Sequence, residues 1–354
     1  MVLRAIPKAY ILHNKFRKYM KTAFKILGIV VAIILTIILI GGGYLFYRIK
    51  MNQENGGTNV EWSESDGTVH RNLSYGDEKR NRFDLFIPNN PKKGAMMLFV
   101  HGGSWMGGEK EDIEYAARRF AKQGYITSTM NYSRIASDTL HHSQKHAYPN
   151  IESMVDDIYA CTEAIKSKCA ELGHELNQMA IGGYSAGAHL AMLYSTRHHD
   201  SSPLPIRFMI SWVGPADMNM LFTSDKKQIM DLLANDTEEG KAKQAELCMM
   251  VSGISGKEVK AEELSYELIQ QLMSNVSPSD LVSAATPPAV LAYGANDKLV
   301  SAEHGKTMNS RLKSFGIENQ IYIYPNSGHE LGYDKDYTQK VNETISNYCK
   351  KYFK

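Results

Sequence analysis

Cysteine is scarce in this 354-residue chain, with four in all, and none stand at the short spacings that hold zinc. Cys161 and Cys169 fall on one predicted helix, about 12 Å apart, too far to bridge each other. They lie near a stripe with Val155, Ile158, Ile165 and Leu172, which reads as core, so no disulfide is expected. Acidic residues are missing from the first fifty positions, which carry nine Lys or Arg and no Asp or Glu. Setting those nine aside from the 40 leaves 31 cationic residues against 38 anionic, about −7 for the remainder. A mildly acidic body gives no reason to expect a nucleic-acid partner. No internal repeat is found. A hydrophobic content of 43% with 22% charged residues is globular and excludes disorder over most of the chain.

Charge is also absent from residues 26–47, 22 positions of mostly Ile, Leu, Val and Gly. At 1.5 Å per residue they span a hydrocarbon core of roughly 30 Å. Seven basic residues precede them, so the positive-inside rule keeps the N-terminus in the cytoplasm and puts the body beyond the membrane. A cleaved signal peptide is the rival reading. The 25-residue basic leader is long for one, and no A-x-A site follows. The expected organisation is a basic cytoplasmic segment (1–25), a transmembrane helix (26–47), a polar linker (48–65) and one globular domain (66–354).

Within that domain, short apolar runs alternate with helical patterns. Residues 68–75 and 82–88 suggest a hairpin or meander at a sheet edge. The continuous run 95–100 (AMMLFV) suits a strand covered on both faces. A helix is predicted over 112–123, a strand over 126–132, a helix over 151–172, a strand over 179–183 and a helix over 186–197. A strand over 208–213 precedes a stretch, 217–286, that is charged, Met-rich and without strand pattern. It is read as an inserted helical lid. Strands over 288–293 and 320–324 and helices over 303–315 and 337–352 complete an α/β domain with a mostly parallel sheet and helices on both faces.

The stretch that organises the chemistry is GGYSAGAHLA, residues 182–191. Its core, Gly183-Tyr184-Ser185-Ala186-Gly187, is G-x-S-x-G between a predicted strand and a helix. A serine on such a turn is held strained and exposed, beside the positive end of the helix. Ester chemistry needs a nucleophile, a base, a group orienting the base, and donors for the oxyanion. In parallel sheets these gather at the C-terminal ends of strands. HGGSW (101–105), GAND ending in Asp297, and PNSGH ending in His329 all follow apolar runs. The chain order Ser, Asp, His is that of the α/β-hydrolases.

Taken together, HGGSW, GYSAGAHLA, GAND and SGH resemble the esterase branch of the α/β-hydrolase family, from about residue 80 to the end apart from the insert. HGGG and GDSAGG, usual in hormone-sensitive-lipase-like enzymes, are replaced here by Ser104–Trp105 after the glycines and by Tyr184 and Ala188 around the serine. That is more similar to bacterial feruloyl- and acetyl-esterase domains and to arylformamidases. The resemblance implies Ser185 as nucleophile, His329 as base and Asp297 as its orienting acid. It places the N–H groups of Gly102, Gly103 and Ala186 around the oxyanion, and calls for no metal and no cofactor. Trp105 and Tyr184, next to the site, are candidates for the acyl pocket.

Rival assignments exist. Glu330 or Asp334 could serve as the acid. His101 precedes the glycines, where it would brace the loop, and His189 would pack internally. His141, His142 and His146 fall in a polar loop, and His198 and His199 past a helix end, where solvated imidazoles suffice. The methionines of the insert (Met218, Met220, Met230, Met249, Met250, Met273) read as soft core, or as an adaptable pocket wall. The expected protein is a single-pass membrane serine carboxylesterase acting on short acyl or aryl esters, of a carbohydrate or another small alcohol. The alternatives are an arylformamidase-type amidase, or an inactive hydrolase fold used for binding.

Overall fold

A computed structural model describes residues 60–135, 149–223 and 225–354. The expected anchor 26–47, the segment 1–25, most of the expected linker and the histidines at 141, 142 and 146 lie outside the described residues. Among the described residues, no helix is long and apolar enough to cross a membrane.

The elements alternate as the apolar runs require. Strands β1 (Gly67–Ser74), β2 (Arg82–Pro88) and β3 (Gly94–Val100) come first. Then follow helix α1 (Glu114–Ala121), β4 (Ile126–Met130), α2 (Ile151–Glu171), β5 (Leu176–Tyr184), α3 (Ala186–Arg197) and β6 (Ile206–Trp212). Four helices of the insert come next: α4 (Met218–Phe222), α5 (Lys226–Leu233), α6 (Glu238–Ser255) and α7 (Tyr266–Asn275). β7 (Ala289–Gly294), α8 (Ala302–Ser314), β8 (Asn319–Tyr324) and α9 (Lys335–Tyr352) close the domain.

The eight strands form one sheet in the order β1-β2-β4-β3-β5-β6-β7-β8. β1 pairs antiparallel with β2, and β2 with β4. Every other pair is parallel. This is an α/β-hydrolase sheet with an antiparallel edge. Residues 95–100 of β3 are all buried, and because alternate side chains leave opposite faces, both faces must be covered. Phe99 stacks on Phe120 of α1, and Met97 meets Cys349 of α9. Met96 and Leu98 join the apolar cluster that includes Ile158 and Ile165 of α2, Leu190 of α3 and Met308 of α8. All four cysteines are buried and free.

Element ends follow local chemistry. The predicted helix 112–123 is shortened to α1 because a 3₁₀ turn, Lys110–Ile113, precedes it, opened by a reciprocal cap between Glu109 and Asp112. β4 stops at Met130, where the Asn131 side chain turns to accept from the Lys110 N–H at 2.6 Å. In the insert, the side chains of Asp217, Asp225, Thr237 and Ser265 each accept a backbone N–H from the first turn of α4, α5, α6 and α7. Met218 and Met273 pack into the core, whereas Met230, Met249 and Met250 are exposed.

Under the antiparallel edge, the fully buried Asp84 carboxylate meets Arg71 at 2.6 Å and Lys110 at 3.1 Å. It also accepts the Asn72 N–H at 2.8 Å. Arg71 in turn forks onto Glu114 at 2.6 and 2.8 Å, and Lys110 reaches Glu111 as well. Removing one member strands charge in a dry place, while the satellite carboxylates soften the loss. Asp84→Asn is expected to destabilise the fold by about 3 kcal/mol, the low end for a broken buried pair. Urea unfolding reads this directly, and a loss under about 1 kcal/mol would mean that the pair is effectively solvated.

Candidate active site

The turn between β5 and α3 places Ser185. Its backbone sits at φ 53°, ψ −120°, a conformation costing of order 1–3 kcal/mol for a residue with a Cβ. Tertiary contacts hold it there: the Ser185 N–H donates to Trp212 O at 2.8 Å, and His189 N–H to Ser185 O at 3.0 Å. The flanking glycines allow the turn to close. A Cβ on Gly183 would lie 2.4 Å from the Gly187 backbone, and one on Gly187 would lie 2.1 Å from Val100 O. Ala186 opens α3, so the hydroxyl stands at the positive end of that helix.

Two further strand ends converge on it. His329, in the loop after β8, brings Nε2 to 3.0 Å from Ser185 Oγ. Its Nδ1 lies 2.7 Å from Asp297 Oδ2, in the loop after β7. A carboxylate accepts, so Nδ1 carries the proton and Nε2 is left to accept from the hydroxyl. The Asp297 side chain is fully buried, and its other oxygen accepts the Leu299 and Val300 N–H groups at 2.8 and 2.9 Å. The imidazole remains 15% exposed. A hydroxyl, an imidazole and a fixed carboxylate in this sequence can pass the hydroxyl proton to the imidazole as the oxygen attacks a carbonyl carbon, and on to the leaving group.

The HGGSW loop after β3 lies against the same turn. A Cβ on Gly102 would come 3.3 Å from Ser185 Cβ, and one on Gly103, at φ +120°, would enter the Gly107 backbone at 2.3 Å. Ser104 and Trp105 also have positive φ, 52° and 60°. The strain is offset by a brace: Gly103 O accepts from Met106 and Gly107 at 3.0 and 2.8 Å. His101, fully buried, donates from Nδ1 to Gly102 O at 2.7 Å and stacks on Tyr132 at 4.3 Å. Arg80, from the β1–β2 connection, donates to Gly108 O and Tyr132 O at 3.1 Å each and to Glu109 at 2.8 Å.

The remaining candidates separate by contact. Asp297 holds His329, whereas Asp334 accepts from Asn326 N, Asn326 Nδ2 and Ser327 Oγ at 3.1, 2.8 and 2.7 Å, tying the histidine loop. Glu330 folds back toward Gly328. His198 and His199 sit at the far end of α3, bonded to Ser201 and Thr196. Trp105 is buried and donates from Nε1 to His189 Nδ1 at 3.3 Å, while His189 Nε2 donates to Val276 O at 2.8 Å. Tyr184 donates its hydroxyl to His329 O. Arg80 belongs to no motif; Ser327 is the serine of SGH and Asp334 is readable only as a rival acid, and neither reading points to the bond between them. His304 of α8 is equally silent in sequence, yet its buried Nδ1 accepts the Ala216 and Asp217 N–H groups at 3.3 Å, where the insert leaves the sheet.

Residues 83–312 match the model of the BD-FAE family. The chain is 26% identical over 265 residues to a probable isoprenylcysteine α-carbonyl methylesterase of Oryza sativa, covering 74% of this chain and 58% of that protein. It is 22% identical to Esterase LipC of Mycobacterium tuberculosis, covering 75% and 60%. The match thus spans less than two thirds of these relatives' length. Esterase B from Lactobacillus rhamnosis superposes with a TM-score of 0.64 at 14% identity, covering 88% of this chain and 95% of its own.

Three imidazoles around the site are buried and held neutral. Burial lowers His101 to about 3, and His189 and His304 to about 4. In the unfolded chain each titrates near 6.5, so below that pH the unfolded state binds more protons and stability falls as pH falls. Each contributes up to about 1.4 kcal/mol per pH unit. Asp157, raised to about 6 by burial, works in the opposite sense below pH 6 and offsets one of the three. The urea midpoint is therefore expected to drop between pH 7 and pH 5, and His189→Gln to shallow that slope by nearly half, since Asp157 already cancels one of the three. A flat midpoint over this range would contradict the assignment.

Proposed function

The chain belongs to the BD-FAE family, in the esterase branch of the α/β-hydrolases, and from that membership we propose that it is a serine carboxylesterase acting through Ser185. The observation that carries the reading is the unbroken relay from Ser185 Oγ through His329 to Asp297, with bonds of 3.0 and 2.7 Å.

In this reading Ser185 Oγ attacks the ester carbonyl carbon while His329 Nε2 takes its proton. The carbonyl electrons move onto oxygen, where the Gly102, Gly103 and Ala186 N–H groups hold the charge; one such donor is worth about 10²–10³ in rate. Glycine at the first two lets the backbone approach without a Cβ. The tetrahedral adduct collapses as His329 protonates the departing alcohol oxygen, leaving an acyl ester on Ser185. Water, losing a proton to His329, then attacks that ester; the acyl–Oγ bond breaks as His329 returns the proton to Ser185 Oγ, and the acid is released. Asp297 keeps Nδ1–H in place and stabilises each imidazolium.

The substrates proposed are short acyl or aryl esters of a carbohydrate or other small alcohol, with Trp105 bounding the acyl side. The similarity of HGGSW and GYSAGAHLA to feruloyl- and acetyl-esterase motifs supports this class. We also propose that residues 26–47 anchor the chain in a membrane with its N-terminus in the cytoplasm. The uncharged run and the seven basic residues before it support that placement.

A fluorophosphonate probe and p-nitrophenyl acetate test the activity. The chain is expected to label and to turn over, and Ser185→Ala or His329→Ala to lose at least about 10⁴ in kcat, the scale seen when such a unit is broken. Acetylated xylan tests the carbohydrate arm. A chain that stays unlabelled would be an inactive binder, and turnover confined to N-formyl substrates would make it an amidase.

A further inference from the structure

We propose that Tyr184 is a positioning residue for His329, resting on the catalytic reading above: its hydroxyl clamps the histidine loop onto the strand that carries the nucleophile. The loop between β8 and α9 has to hold one imidazole against two partners at once, Ser185 Oγ at 3.0 Å and Asp297 Oδ2 at 2.7 Å. Its two ends are well tied. Asp334 accepts from Asn326 and Ser327, Ser327 Oγ accepts the Tyr333 N–H at 3.1 Å, and Gly328 presses on Gly294, where a Cβ would lie 2.2 Å from Gly328 O.

Between those ties the chain runs through His329 with weaker support. The Leu331 N–H reaches Gly328 O at 3.3 Å, and Leu331 itself has a φ of 52°. β8, which feeds the loop, is the half-exposed edge strand of the sheet. At this point the Tyr184 hydroxyl donates to the His329 carbonyl oxygen. The same ring stands edge-on to the imidazole, 5.8 Å between centroids at 78°. Tyr184 adjoins Ser185 in sequence, so one side chain links nucleophile and base by a path separate from the bond between them. A hydroxyl buried this way holds the backbone of the base rather than the substrate. This refines the sequence-based assignment of Tyr184 to the acyl pocket.

The experiment measures kcat and KM on p-nitrophenyl acetate and butyrate for the full chain and for Ser185→Ala, Tyr184→Phe and Tyr184→Met, with a thermal unfolding midpoint for each. Phe keeps the ring and loses only the donor. It should lower kcat about tenfold, from one lost hydrogen bond and a loosened base. KM, the acetate-to-butyrate ratio and the midpoint should stay where they are, and Met should lose at least as much kcat as Phe. Full kcat in Tyr184→Phe, a loss seen only in Met, a loss that tracks the unfolding midpoint, or a raised KM with altered acyl preference would each overturn the clamp. Activity surviving in Ser185→Ala would instead sink the catalytic reading itself, and the clamp with it.

Discussion

The site depends on a backbone contact made where no side chain fits. Gly183 lies against Gly187, and Gly187 against the carbonyl of Val100 at the end of β3. That approach forces the chain through a sharp turn and leaves Ser185 in a conformation it would not choose alone. The contact is between neighbouring parallel strands and the helix that follows, so it exists only once β3, β5 and α3 are in register. Sheet formation therefore aims the hydroxyl, and the hydrogen bond from Ser185 N to Trp212 O fixes the aim from the other neighbouring strand.

Around this turn the polar groups are kept dry and are paired with backbone, apart from the buried His101 Nε2, which has no hydrogen-bond partner among the described residues. His101 and His189 each donate to a backbone carbonyl, and His304 accepts two amides. Neutral imidazole suits these places because it both fills volume and pairs with backbone. A charged group would need a counter-ion there, as Asp84 has in Arg71 and Lys110. The histidine that faces Ser185 differs from the other three in having a carboxylate behind it and solvent beside it. Environment, not residue type, separates the four.

Much of this was legible beforehand. Period-two and continuous apolar runs mark strands because a pleated chain must hide one face or both, and β2, β3 and α3 fall at or within a residue of the positions that pattern dictates. The three side chains of the relay were readable because each lies just past such a run. What stayed hidden is whatever depends on loops meeting in space. Arg80 grips the HGGSW loop from a hairpin connection, and Asp334 ties the histidine loop from the start of a helix. Arg80 looks in sequence like an ordinary surface charge, and Asp334, readable as a rival acid, gives no sign there of this structural tie. Tyr184 was visible as a neighbour of the serine, but the direction of its hydroxyl follows from where residue 329 comes to rest.

The strand order carries one more consequence. Ser185, Asp297 and His329 come from β5, β7 and β8, and the last of these is the outermost strand, joined after more than a hundred residues of intervening chain. A polypeptide that emerges from its N-terminus forward can build the glycine turn early. It has no imidazole to serve the hydroxyl until the far edge docks. On the proposed reading, catalytic competence is timed to the final stage of assembly, and a chain stopped short of β8 holds the serine without the imidazole that would switch it on.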